Sequence, residues 1–110
     1  MIEISIQRHK AGHVEGFEVS GHANFDEYGR DIVCCAISVL AQTAIMGLVE
    51  YVGLDCKYEI EDGYLICRIP EEADSQKRIK IDAIVETMIL GMNNIKQGYP
   101  SYVTIECKEV

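Results

Sequence analysis

"CKYEIEDGYLICRI", residues 56–69, carries the clearest hairpin signal in the chain. Asp62-Gly63 favours a two-residue turn. A fold at that point sets Ile60 opposite Leu65, Tyr58 opposite Cys67 and Cys56 opposite Ile69. All six then share one face, while Lys57, Glu59, Glu61, Tyr64 and Arg68 share the other. This register gathers the apolar side chains, Ile66 excepted, on one face, and a slip of one residue would exchange the faces.

Working outward, the amino-terminal side repeats the theme. "IEISIQR" (2–8) alternates with Ile2, Ile4 and Ile6 on one face, and "EGFEVSG" (15–21) follows with Phe17 and Val19 on one face. "HKAGH" between them suits a hairpin loop, in which His9 and His13 are expected to face solvent. A long apolar stretch from about 31 to 53 then reads as a helix, with Asp31 as a candidate N-cap and Gly53 as its end. On the carboxyl-terminal side, Ile81, Ile84, Val85, Met88, Met92 and Ile95 recur at helical spacing over 75–96. Asp74 or Ser75 can cap that helix and Gly98 can end it. "SYVTIECKE" (101–109) closes the chain as a strand with Val103, Ile105 and Cys107 on one side. The order is ββα-ββα-β in a single domain spanning 1–110. The economical architecture is α/β in the broad sense (α+β): one mostly antiparallel or mixed sheet packed with two helices.

Composition narrows the function classes. A hydrophobic fraction of 48% with 25% charged residues is that of a globular chain. A formal charge of −8 disfavours nucleic acid as the main partner, since phosphate binding needs a basic face. The charge either aids solubility or attracts a basic partner. The uncharged run Ile32–Val49 just reaches spanning length, but Ser38, Gln42, Thr43 and the flanking strand patterns argue for a buried helix rather than a membrane segment. "MIEISIQRHK" alternates like a strand, so no secretory leader is expected and a cytoplasmic location follows. Five cysteines are then expected as thiols, and the odd count argues against a closed disulfide framework. No C-x-x-C pair and no phosphate-binding glycine loop occurs, so neither a metal nor another cofactor is expected.

The cysteines separate by position. Cys56, Cys67 and Cys107 lie on apolar strand faces, where cysteine acts as a small hydrophobe. Cys34 and Cys35 lie in the first turn of the long helix, where unsatisfied N–H groups and the helix dipole favour thiolate. Adjacent helical residues point about 100° apart, so only one of the two is expected to face a site. His22 follows Gly21 at the end of a strand, and a strand-to-helix connection can bring it to Cys34. Imidazole beside a thiol is a common means of activating it. On these residues alone, His22 either serves Cys34 or merely turns the chain.

"VSGHANFDEYGRDIVCCAISVL" (19–40) resembles the signature of the Prp family of bacterial ribosomal-processing cysteine proteases, a G-H-A, a short variable loop, then G-x-D-I-V-C-A-A-x-S-x-L. The matches are Gly21, His22, Ala23, Gly29, Asp31, Ile32, Val33, Cys34, Ala36, Ser38 and Leu40. Length, element order and the ending "NNIKQGYPSYV" (93–103) are similar as well. The resemblance implies a cysteine endopeptidase with Cys34 as nucleophile and His22 as base and acid. It further implies removal of the N-terminal extension of large-subunit ribosomal protein twenty-seven, and a homodimer. Cys35 departs from the pattern, which has alanine there, and is read as a bystander. The rival readings are a non-catalytic ribosome-associated binding or assembly factor and a redox pair of Cys34 with Cys35, the latter hindered by disulfide geometry within a helix.

Supporting roles remain open at this level. Asp31 can orient His22 or cap the helix. Ser38, one turn after Cys34, can bond within the site or donate to the carbonyl of residue 34. Backbone N–H groups at the helix start can form an oxyanion hole. The loop "ANFDEYGR" (23–30) is expected to be a mobile lid whose Asp26 and Glu27 suit a basic segment, with His22 beyond hydrogen-bond reach of Cys34 before substrate binds.

Overall fold

The computed structural model describes residues 1–27 and 31–110. Five strands form one sheet: β1 (Ile2–Arg8), β2 (Val14–Ser20), β3 (Lys57–Glu61), β4 (Tyr64–Arg68) and β5 (Val103–Glu109). Their spatial order is β3-β4-β2-β1-β5. All neighbours are antiparallel except β1 and β5, which run parallel because helix α2 (Ser75–Gly98) carries the chain back across the sheet. The sheet is therefore mixed, and the expected ββα-ββα-β order holds.

The hairpin register is the one the sequence dictates, with Ile60 opposite Leu65 and Tyr58 opposite Cys67. These pairs extend into two apolar rows crossing all five strands. One runs Ile105–Ile4–Val19–Leu65–Ile60, the other Cys107–Ile6–Phe17–Cys67–Tyr58. Toward the middle of each row, Ile4, Ile6, Phe17, Leu65 and Cys67 are at most 5% exposed, and Val19 is partly buried. The ends are more open. Tyr58 and Ile60 on edge strand β3 are 47% and 43% exposed, and Cys107 on edge strand β5 is exposed. Cys107, read from the sequence as a small hydrophobe on an apolar strand face, is thus exposed, whereas Val103 earlier on the same strand is fully buried; Tyr58 and Ile60 share the helix-side face of the sheet but lie on its outermost strand.

Helix α1 (Ile32–Met46) lays Val33, Ile37, Ala41, Ala44 and Ile45 on the sheet and on α2, and continues through a π-helical turn (Gly47–Tyr51) closed by Val52 N–H donating to the Gly47 carbonyl at 3.0 Å. Ile32–Tyr51 is long and apolar enough to cross a membrane by length and composition alone; here Leu48 and the five residues above pack into the protein core. Ile81, Val85, Met88, Ile89 and Met92 form the buried face of α2, with Ile84 and Ile95 at its margin. Asp74 caps α2 through N–H groups of Gln76 and Lys77, both accepted by its Oδ1. Cys56 and Cys67 are buried as free thiols, and the hydrogen bond from Cys56, followed by burial, pushes the Cys67 thiol up. Their structural reading stands.

Candidate active site

Three elements meet at one cleft of about 820 Å³, lined among others by His22, Asn24, Cys34, Ser38, Ile60 and Gly63. Helix α1 supplies Cys34 from its first turn. The end of β2 supplies His22. The β3–β4 turn forms the opposite wall.

Asp31 is the N-cap of α1. Its Oδ1 accepts from the N–H groups of Val33 and Cys34, both at 3.0 Å, and its Oδ2 accepts from Phe25 N–H at 2.9 Å. Of the two expected roles the geometry shows the cap, and among the described residues no bond joins Asp31 to His22. Burial alone would raise this carboxyl, but the N–H groups of Cys34 and Phe25 outweigh it and hold the group below its ordinary value of 3.8. A depressed folded value gives stability that is present above the unfolded value and lost as pH falls through the folded one. Asp31→Ala is therefore expected to cost about 1–2 kcal/mol at neutral pH. The deficit against the parent should shrink on acidification below 3.8, as read by denaturant titration at several pH values.

The same cap changes the expectation for the thiol. Cys34 is half-buried, and its Sγ accepts from Ala23 N–H at 3.2 Å. Burial raises the thiol, the Ala23 N–H lowers it, and the Asp31 carboxylate raises it again, for a net upward displacement. The helix start is thus opposed first by burial and then by the anionic capping residue, both of which favour the thiol form. Three N–H groups of the helix start are already engaged: those of Val33 and Cys34 are held by the Asp31 side chain, and that of Cys35 donates to the Asp31 carbonyl at 3.1 Å. Ala23 N–H, aimed at the sulfur, is the donor that sequence reasoning missed. Ser38 lines the cleft and accepts from Gln42 Nε2, itself a lining residue, at 2.8 Å, the bond within the site that was one of its two expected roles; among the described residues no bond joins its hydroxyl to the carbonyl of residue 34. Cys35 is exposed at the cleft margin.

His22 is exposed and, among the described residues, has no hydrogen bond to Cys34. Its ring lies on the β3–β4 turn instead. A Cβ built on Gly63 would sit 2.7 Å from His22 Nε2 and 3.2 Å from Cε1. Gly63 has φ +75°, and its carbonyl accepts from Gly21 N–H at 2.9 Å, tying the end of β2 to the turn. Sequence reasoning saw Gly63 only as a turn former; the strands' register was the signal that it neighbours Gly21. Gly21 itself, at φ +89°, packs so closely on the Met1 carbonyl that no Cβ fits.

The first part of the expected lid is anchored. Ala23 is buried, and Phe25 stacks edge-on against Tyr99 and Tyr102 with ring centres 5.4 and 5.2 Å away. Asn24 between them takes φ 57°, a conformation asparagine tolerates better than most residues. Tyr28, Gly29 and Arg30, the rest of the lid expectation and one residue of the motif, lie outside the described residues.

Known proteins share this fold and nearly its whole length. The family model of cysteine protease Prp matches residues 1–104. The ribosomal processing cysteine protease Prp of Bacillus subtilis is 31% identical over 101 residues, covering 90% of each chain. That of Staphylococcus aureus strain Mu50 is 27% identical over 111 residues, covering 98% of this chain and all of the relative. Among solved structures, S. aureus Prp with a covalently linked product peptide superposes with a TM-score of 0.88 at 23% identity, over 98% of this chain and 100% of the other. A Streptococcus mutans protein reaches 0.78 at 28% identity, over 100% and 96%. The first match shows the shared fold, and the family match carries the chemistry. With its fold and nearly its whole length matched in this way, the chain belongs to the Prp family of cysteine proteases, hydrolases that act on peptide bonds.

Proposed function

We propose that this protease trims the N-terminal extension of large-subunit ribosomal protein twenty-seven, with Cys34 as nucleophile and His22 as base and acid. The observation that carries the reading is the convergence of Cys34 and His22 on one cleft, in a chain whose curated relatives are named ribosomal processing proteases. Burial and the Asp31 carboxylate favour the thiol form of Cys34, and in this reading His22 takes the Sγ proton as the sulfur attacks. The sulfur then bonds to the scissile carbonyl carbon. Ala23 N–H, released from the sulfur as charge leaves it, can then donate to the carbonyl oxygen. The imidazolium returns the proton to the departing amine, and water, deprotonated by His22, later releases the acid from sulfur. Asp26, Glu61 and Asp62 line the cleft, which suits a basic ribosomal segment. The reading includes a cytoplasmic homodimer.

Incubation with the precursor, followed by intact-mass measurement, tests it. A single shortened product is expected from the parent protein. Retention of uncut precursor on the protein would favour the binding-factor reading instead.

A further inference from the structure

We propose that the free edge of β3 receives the substrate as a sixth strand. The inference rests on the protease reading and concerns how an extended chain reaches the cleft.

Hydrogen bonding settles which way β3 faces. Ile69 N–H donates to the Glu15 carbonyl at 2.8 Å, and the Gly63 carbonyl accepts from Gly21, so the odd-numbered residues along this segment bond toward β2. Tyr64, Ile66 and Arg68 therefore bond toward β3, through their partners Glu61, Glu59 and Lys57. That leaves the peptide N–H and C=O groups of Tyr58 and Ile60 directed outward, past the last strand of the sheet. The side chains of the same two residues are the bare ends of the apolar rows. One edge thus offers backbone partners and apolar contacts at a spacing of two residues. Natural edges are commonly blunted by proline, bulges or inward charge. Edge strand β3 pairs without a register shift, has no proline, and presents tyrosine and isoleucine on its helix side.

The occupant follows from where the strand leads. Ile60 and Glu61 line the cleft that holds Cys34, and the strand runs straight into the turn on which His22 rests. A chain paired along β3 is delivered to both residues. A second copy of the protein at this edge would cover the wall of its own cleft. The ligand class is an extended, unstructured peptide with apolar residues at alternate positions, adding main-chain bonds as other strand-capturing domains do.

The test uses the full-length protein and junction peptides of the ribosomal precursor, each N-methylated at one amide. We expect KM to rise about ten-fold for methylation at every second residue along the paired stretch, with kcat within about two-fold. The intervening amides should be tolerated. Ile60→Asp should raise KM comparably without lowering the melting temperature, since the side chain is already exposed. Equal tolerance at every amide would overturn the proposal. So would an Ile60→Asp protein with unchanged KM but altered oligomeric state, which would assign the edge to a second copy. If the parent does not cut the ribosomal junction at all, the substrate reading fails separately. Strand docking is then read on any unstructured decapeptide from a random mixture that the parent does cut, with the same period of two expected.

Discussion

Cys34→Ala is expected to reduce peptide cleavage by at least about a thousand-fold, while Cys35→Ala stays within about three-fold of the parent. The two thiols are adjacent in sequence but differently placed. Cys34 accepts from Ala23 N–H inside the cleft, across from His22; Cys35 is exposed at the margin with no bond to its sulfur among the described residues. Neither substitution should unfold the protein, because alanine suits a helix and the Asp31 cap bonds to backbone N–H groups that both variants retain. Steady-state kinetics on the junction peptide checks this. Full activity in Cys34→Ala would remove the nucleophile assignment outright.

The second large effect is expected at a residue with no reactive group. Gly63→Ala puts a methyl group 2.7 Å from His22 Nε2, so the imidazole must leave its rest on the turn. We expect kcat to fall about 10–100-fold, with KM little changed, as for other misplacements of a reacting group. The positive φ of Gly63 adds backbone strain, and Gly53→Ala separates the two effects. Gly53 has φ +82° but open space around it, so that variant should lose only about 1 kcal/mol of stability and keep its kcat. The pH profile of kcat should move in Gly63→Ala alone. Equal losses in the two variants would reduce Gly63 to a turn former.

Much of this was legible in the sequence because it depends on pattern and spacing. Alternation at residues 2–8, 15–21 and 56–69 carries the strand registers, and Asp31 before an apolar helix carries the cap. The family motif through Leu40 separates Cys34 from Cys35, which position alone does not do decisively. What stayed hidden depends on which strands become edges. Tyr58, Ile60 and Cys107 have the alternation of core residues, and only the sheet order reveals that they lie on its two outermost strands, where they stay exposed. The protonated state of Cys34 was hidden for a related reason. A helix start and an acidic cap act on the thiol in opposite directions, and burial decides the sum. The anchoring of Phe25 by Tyr99 and Tyr102 joins residues more than seventy positions apart, beyond the reach of any local rule.

The most direct test of the central claim, that Cys34 attacks with His22 as its base, is trapping with a junction peptide carrying a carboxyl-terminal vinyl sulfone. Peptide mapping should place a single adduct on Cys34, formed at neutral pH at least about a hundred-fold more slowly in His22→Ala. An adduct on Cys35, or undiminished labelling of Cys34 without His22, would contradict the account.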